Sequence, residues 1–127
     1  MKSAEDIESF LIQMEAQYES VGDDIWVVTD LGPEMVISIA GPVVVFRVKV
    51  LELDKVPQEQ REALYSKLLE FNATEMIHGS YGLEGGAVVV TDALQLEHLD
   101  FNEFQATIDD VGMALTNHYR TLSALTA

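Results

Sequence analysis

Chemistry in a protein needs polar groups that converge, so the histidines, the adjacent carboxylates and the glycine-rich segment are the first residues to weigh. His78, His98 and His118 lie about twenty residues apart, whereas a metal site usually presents at least one closely spaced ligand pair. Placed on a strand, a loop and the last helix, each reads as a surface or half-buried imidazole, and no metal site is assigned. Asp23-Asp24 and Asp109-Asp110 are neighbours in sequence, but adjacent helical residues face different ways and the first pair sits at a turn. General acid/base work would need a facing pair in one pocket. Gly82-Leu83-Glu84-Gly85-Gly86 could cradle a phosphate only ahead of a helix N-terminus, and here it joins two strands. It reads as a turn. The single Trp26, beside Val27 and Val28, reads as strand core rather than a ligand platform. With no cysteine, no Gly-x-Ser-x-Gly, no phosphate loop and no His-Glu-x-x-His, nucleophilic hydrolysis, nucleotide hydrolysis and zincin chemistry lack their supports. No catalytic residue and no cofactor is assigned.

The elements that would have to position any such site follow from hydrophobic spacing. Ser3 and Asp6 have the spacing of a helix cap, and Ile7, Phe10, Leu11, Met14 and Tyr18 recur at three- and four-residue steps, predicting a first helix that ends near Val21-Gly22. Three strands are predicted over residues 25–29, 35–39 and 43–53, rich in β-branched and aromatic types and separated by Leu31-Gly32-Pro33-Glu34 and Ala40-Gly41-Pro42 as turns. Pro57 suits the first position of a middle helix lined by Leu64, Leu68 and Phe71 and running to Asn72. Two further strands, 76–83 and 87–92, flank Glu84-Gly85-Gly86 as a hairpin with a bulge. Asp100 and Glu103 then open a last helix whose face is Phe101, Phe104, Ile108, Val111, Leu115, Tyr119 and Leu122.

The expected fold is therefore α+β, a single domain over residues 1–127 with element order α-β-β-β-α-β-β-α, an antiparallel sheet and helices packed on it. On the long third strand Val44, Phe46, Val48 and Val50 point one way, and Val43, Val45, Arg47, Lys49 and Leu51 the other. Half of that second face is apolar, so it is covered either by the middle helix or a loop, or by a partner.

Charge narrows the partners. Seven bases against 22 acids give a net charge of −15, which repels phosphate backbones and anionic lipid surfaces. Neither nucleic acid nor a membrane is an expected partner. Residues 41–70 hold five bases and five acids while the segments on either side are strongly acidic, and this neutral middle reads first as a solvated face. Glu5, Asp6 and Glu8 stand where an export signal would be basic and then apolar. A soluble, cytoplasmic protein is expected.

One resemblance adds to this reading. The run Leu68-Leu69-Glu70-Phe71-Asn72-Ala73, then Gly79-Ser80-Tyr81-Gly82-Leu83-Glu84-Gly85-Gly86 with Ala87-Val88-Val89-Val90, then Leu94-Gln95-Leu96-Glu97-His98-Leu99-Asp100, resembles the type III secretion chaperone family and the related YbjN-like proteins. There a helix ends in Leu-Leu-x-x-Asn, a strand carries Gly-x-x-Gly-Leu, and a short segment leads to a Leu-Asp helix start. The likeness covers about residues 57 to 122, and the element order is similar to the same Tir-chaperone-type fold. It implies a homodimer that binds an extended segment of a partner protein along apolar grooves, without ATP. It points to Phe10, Met14, Val43 and Val45 as partner contacts, and to the middle helix with the fourth and fifth strands as dimer contacts. The alternatives are a stand-alone YbjN-like domain that regulates through contact with its own copy and, as the weakest reading, a small-ligand binder or enzyme.

Overall fold

The computed structural model describes residues 1–126. Three helices, α1 (Ala4–Gln13), α2 (Arg61–Thr74) and α3 (Phe101–Ser123), accompany six strands: β1 (Tyr18–Gly22), β2 (Ile25–Val28), β3 (Met35–Ala40), β4 (Val43–Glu52), β5 (Ser80–Glu84) and β6 (Ala87–Gln95). The strands form one sheet in the order β1-β2-β3-β4-β6-β5, antiparallel throughout. The α+β class and the antiparallel sheet are as expected, with one strand more. No helix among the described residues is long and apolar enough to cross a membrane.

The extra strand comes from an early stop in α1. Asp6 accepts from the Ser3 N–H at 2.8 Å, which opens the helix and holds the Asp6 carboxyl below its usual value. At the other end Glu15 takes a positive φ of 59°. The Ala16 N–H then donates to the Leu11 carbonyl and the Glu15 N–H to that of Ile12, the paired bonds of a Schellman stop. Tyr18 is therefore in β1, not on a helix, and the predicted continuation to Val21-Gly22 is corrected.

Register places one residue of every strand in a single cross-sheet row: Tyr18, Val28, Met35, Val48, Val90 and Tyr81. The buried residues of all three helices join the inner residues of this row in one core, so the helices share this side of the sheet. Phe104 of α3 is its centre, with ring centroids 5.5 Å from Phe46 and 5.3 Å from Phe10. Trp26 is buried as expected, and its Nε1 donates to Glu8 at 3.0 Å, tying α1 to β2.

The opposite face carries Val27, Val36, Arg47 and Thr91 in one row and Ile25, Ser38, Val45 and Ala93 in the next. Ile25 and Val36 are exposed and Val27, Val43 and Val45 half-buried, so neither the middle helix nor a loop covers the apolar part. Ala87 is a buried exception on this face, and so is Val89. By register the Arg47–Glu84 ion pair spans the sheet above it, between Thr91 and Ala87. Farther along, Lys49 pairs with Val89 and Leu51 with Val88, leaving Val50 as a bulge. A bulge reverses the alternation beyond it. Leu51 consequently turns to the helix side instead of joining Val43 and Val45.

The other departures are local. Pro57 precedes a short 3-10 turn, Gln58–Gln60, and α2 begins at Arg61, although Leu64, Leu68 and Phe71 are buried as expected. Gly85 and Gly86 both hold positive φ between the paired Glu84 and Ala87, making a two-residue type I′ turn with no bulge. In α3 the Asp100 carboxylate caps the Glu103 N–H at 2.7 Å. Tyr119, expected in the core, is 70% exposed, and its neighbour His118 is buried in its place.

Candidate partner-binding site

An antiparallel sheet offers a partner two edges, and here they differ. Across β5 and β6 the Glu84–Ala87 pair closes the hairpin. Alternation then turns the N–H and C=O of Tyr81 and Leu83 outward, away from β6. The Tyr81 groups are not free: its N–H donates to Asn72 Oδ1 at 2.7 Å, and its carbonyl accepts from Asn72 Nδ2 at 3.1 Å. Asn72 is on the last turn of α2, and its carboxamide stands beside β5.

At the far edge the Thr29 N–H donates to the Gln17 carbonyl at 2.9 Å. By the same alternation Glu19 faces β2, and Tyr18 and Ser20 turn their backbone groups outward. No side chain or loop among the described residues bonds to them. Pairing at this edge would set a strand's side chains alternately above and below the sheet. On the helix side they would meet Tyr18 and the end of α1, where Met14 is half-buried. On the other side they would meet Glu19, with Val27 of β2 beyond it.

The four contact residues expected from the sequence do not form one surface. Phe10 is half-buried between α1 and α3, its ring 5.8 Å from that of Phe101, and Met14 lies on the same side of the sheet. Val43 and Val45 lie on the opposite face, on β4, three strands from the β1 edge. The β1 edge is not visible in the sequence, because Tyr18 continues the helical spacing of Met14.

The histidines are better placed than their spacing suggested. His118 is 3% exposed and stacks flat on Phe71 with ring centroids 3.6 Å apart. Its Nδ1 is 2.7 Å from the Tyr81 hydroxyl and its Nε2 3.2 Å from Glu75 Oε1. A carboxylate only accepts, so the neutral tautomer with a proton on Nε2 satisfies all three groups at once. Burial, and secondly the Glu75 carboxylate, push the Tyr81 phenol far above its ordinary value, which keeps it a donor. His78 is in the loop before β5 rather than on a strand, with Nδ1 2.6 Å from Asp110 Oδ2. Together the two imidazoles fasten the α2–β5 connection to α3. Only His98, 91% exposed, is a plain surface residue. No group of three or more His, Cys, Asp or Glu among the described residues is arranged to hold a metal ion. A concavity of about 630 Å³ lies between the second half of α3, Leu31-Gly32-Pro33 and the β4 bulge, and none of its lining residues is charged.

Comparison with known proteins places this fold. The CesT_Tir_1 family model matches residues 1–127, and the chain belongs to that family, a type III secretion chaperone family. A chain of the heterodimeric ExoU-SpcU complex from the type III secretion system of Pseudomonas aeruginosa superposes with a TM-score of 0.70 at 19% identity, covering 94% of this chain and 97% of that one. YbjN from E. coli gives 0.68 at 10% identity, with 94% and 93% covered. A chain of the HopA1-SchA chaperone-effector complex gives 0.62 at 12% identity, with 86% of each covered. At these identities the structures share the fold. No curated protein matches the chain.

Proposed function

We propose that this protein is a non-enzymatic, chaperone-like carrier that holds an extended segment of a partner protein as an added strand on the free edge of β1. The observation that carries the reading is the asymmetry of the two edges: Asn72 occupies β5, while Tyr18 and Ser20 present unpaired backbone groups. Strand addition supplies affinity through main-chain hydrogen bonds and specificity through alternate side chains. Family membership supports it, as does the presence of this fold in ExoU-SpcU and in a chaperone-effector complex. The −15 charge keeps such a carrier soluble while it holds an apolar segment, in keeping with a cytoplasmic location.

In this reading Phe10 and Met14 line the helix side of the bound segment. Val43 and Val45 receive its continuation across the open face, where Ile25, Val27 and Val36 extend the apolar surface. The protein acts as a homodimer through α2 and its neighbouring strands. The support for this contact is α2 itself, which buries Leu64, Leu68 and Phe71 yet leaves Leu69 68% exposed. An exposed leucine on the outer side of α2 suits contact with a second copy. Affinity capture of the tagged protein from its own cells, with light scattering on the complex, tests the function. One dominant partner held through a protease-sensitive segment is expected; recovery of the protein with only its own copy would favour the self-associating regulatory domain.

A further inference from the structure

We propose that Asn72 is an edge lock, a side chain that stands in for a neighbouring strand on β5 and prevents a second copy of this chain from pairing there. The proposal goes beyond the carrier reading and holds whether or not β1 receives a partner segment.

Its basis is the chemistry of the contact. A primary carboxamide has the donor and acceptor of a peptide group, and Asn72 uses both on one residue, taking the Tyr81 N–H at 2.7 Å and giving to the Tyr81 carbonyl at 3.1 Å. This is the exchange that a facing strand residue would make with Tyr81. Asn72 sits in the α2 turn that also buries Phe71 under Tyr81, with ring centroids 5.9 Å apart, so the amide is held in position by core packing.

Without the lock, β5 has the properties of a pairing edge. Its outward positions are Tyr81 and Leu83, with Gly82 between them. A two-fold axis through Gly82 would set Tyr81 opposite Leu83 of a second copy, and Leu83 opposite Tyr81, extending the sheet antiparallel from one molecule to the next. Gly82 offers no obstruction, since even an added Cβ there would touch nothing within 4 Å. Leu83 is exposed. In each copy Asn72 holds Tyr81, one of the two outward residues, so the amides of the two copies together block both hydrogen-bonded pairs that this symmetry would create. Any contact between copies near α2 and β5 must then be made by side chains and not by a continuous sheet.

The experiment compares the full chain carrying Asn72→Ala with the wild type by sedimentation over a range of concentrations. Asn72→Ala is expected to sediment at a higher mass than the wild type, rising with concentration. Adding Leu83→Pro to it is expected to restore the wild-type mass, because that N–H points outward and its loss costs no bond to β6. Leu64→Ala, which weakens the same helix away from the edge, controls for plain destabilisation and is expected to keep the wild-type mass. Amide exchange on the unmodified protein gives a second reading that does not depend on any variant folding: the Tyr81 amide should exchange at least about tenfold more slowly than that of Leu83, although both face outward on one strand. Wild-type mass for Asn72→Ala, association that Leu83→Pro leaves unchanged, equal association by Leu64→Ala, or equally fast Tyr81 and Leu83 amides would each overturn the lock.

Discussion

Replacing His118 by alanine should be among the most damaging single changes in α3, and the same replacement at the adjacent Tyr119 among the least. The His118 ring is buried and stacks on Phe71 at 3.6 Å. Its removal forfeits packing comparable to a mid-sized core side chain, about 2 kcal/mol. It also leaves the Tyr81 hydroxyl buried without the acceptor now 2.7 Å away, a further cost of about 1–3 kcal/mol. The total is about 3–5 kcal/mol, against about 5–15 kcal/mol for a whole domain. Tyr119 is 70% exposed, so its truncation should stay within about 0.5 kcal/mol. Urea titration followed by Trp26 fluorescence separates the two: at a slope of about 2 kcal/mol/M the His118→Ala midpoint falls by about 1.5–2.5 M. Two further variants divide the loss. His118→Phe keeps the stacked ring and strands only the hydroxyl, a cost of about 1–3 kcal/mol. Adding Tyr81→Phe removes the stranded group and should recover most of that, so the pair is strongly non-additive. Equal midpoints for the alanine variants at 118 and 119, or additive effects of His118→Phe and Tyr81→Phe, would refute the assignment of this face.

Three other outcomes follow from the same structure. Gly79 holds φ +79°, and a Cβ there would come within 3.2 Å of the Thr91 carbonyl oxygen and of Val90; Gly79→Ala should cost about 1–3 kcal/mol in the urea titration, while Gly82→Ala stays within about 0.5 kcal/mol. Because the fold raises the Tyr81 phenol pKa, the stabilisation is complete below the unfolded tyrosine value of about 10 and is lost as pH rises through the folded value. Alkaline titration by tyrosinate absorbance should therefore show a delayed fraction that appears with unfolding, and Tyr81→Phe should remove it. Phe104→Ala should cost about 3–5 kcal/mol by thermal or urea unfolding, because its ring packs against those of both Phe10 and Phe46.

Much of the architecture was legible where one signal has one meaning. Asp100 and Glu103 opened α3 as their spacing required, Gly85-Gly86 closed a hairpin, and Leu64, Leu68 and Phe71 marked the buried stripe of α2. The errors lie where sequence signals are degenerate. The α1 stop uses Glu15 in the left-handed region, a role in which glycine would have been visible, and Tyr18 happens to continue a helical spacing from Met14. Between Leu115 and Leu122 a step through residue 118 or through 119 fits the helical period equally well. Only the partners Tyr81, Glu75 and Phe71, distant in sequence, make His118 the core residue. The Val50 bulge, which turns Leu51 over, has no local mark at all. The candidate site suffered most: an open edge is a property of pairing among strands, so neither the availability of Tyr18 and Ser20 nor the occupation of β5 by Asn72 could be read from residue types.

The claim that β1 receives the partner segment is tested most directly by amide hydrogen exchange at Tyr18 and Ser20, measured on the free protein and on the complex recovered from its own cells. Strand addition predicts that both amides exchange fast in the free protein and become protected in the complex, and that Ser20→Pro, which removes an outward N–H without unfolding the sheet, abolishes capture of the partner. A captured complex in which Tyr18 and Ser20 exchange as fast as in the free protein would contradict the account and move the partner to another surface.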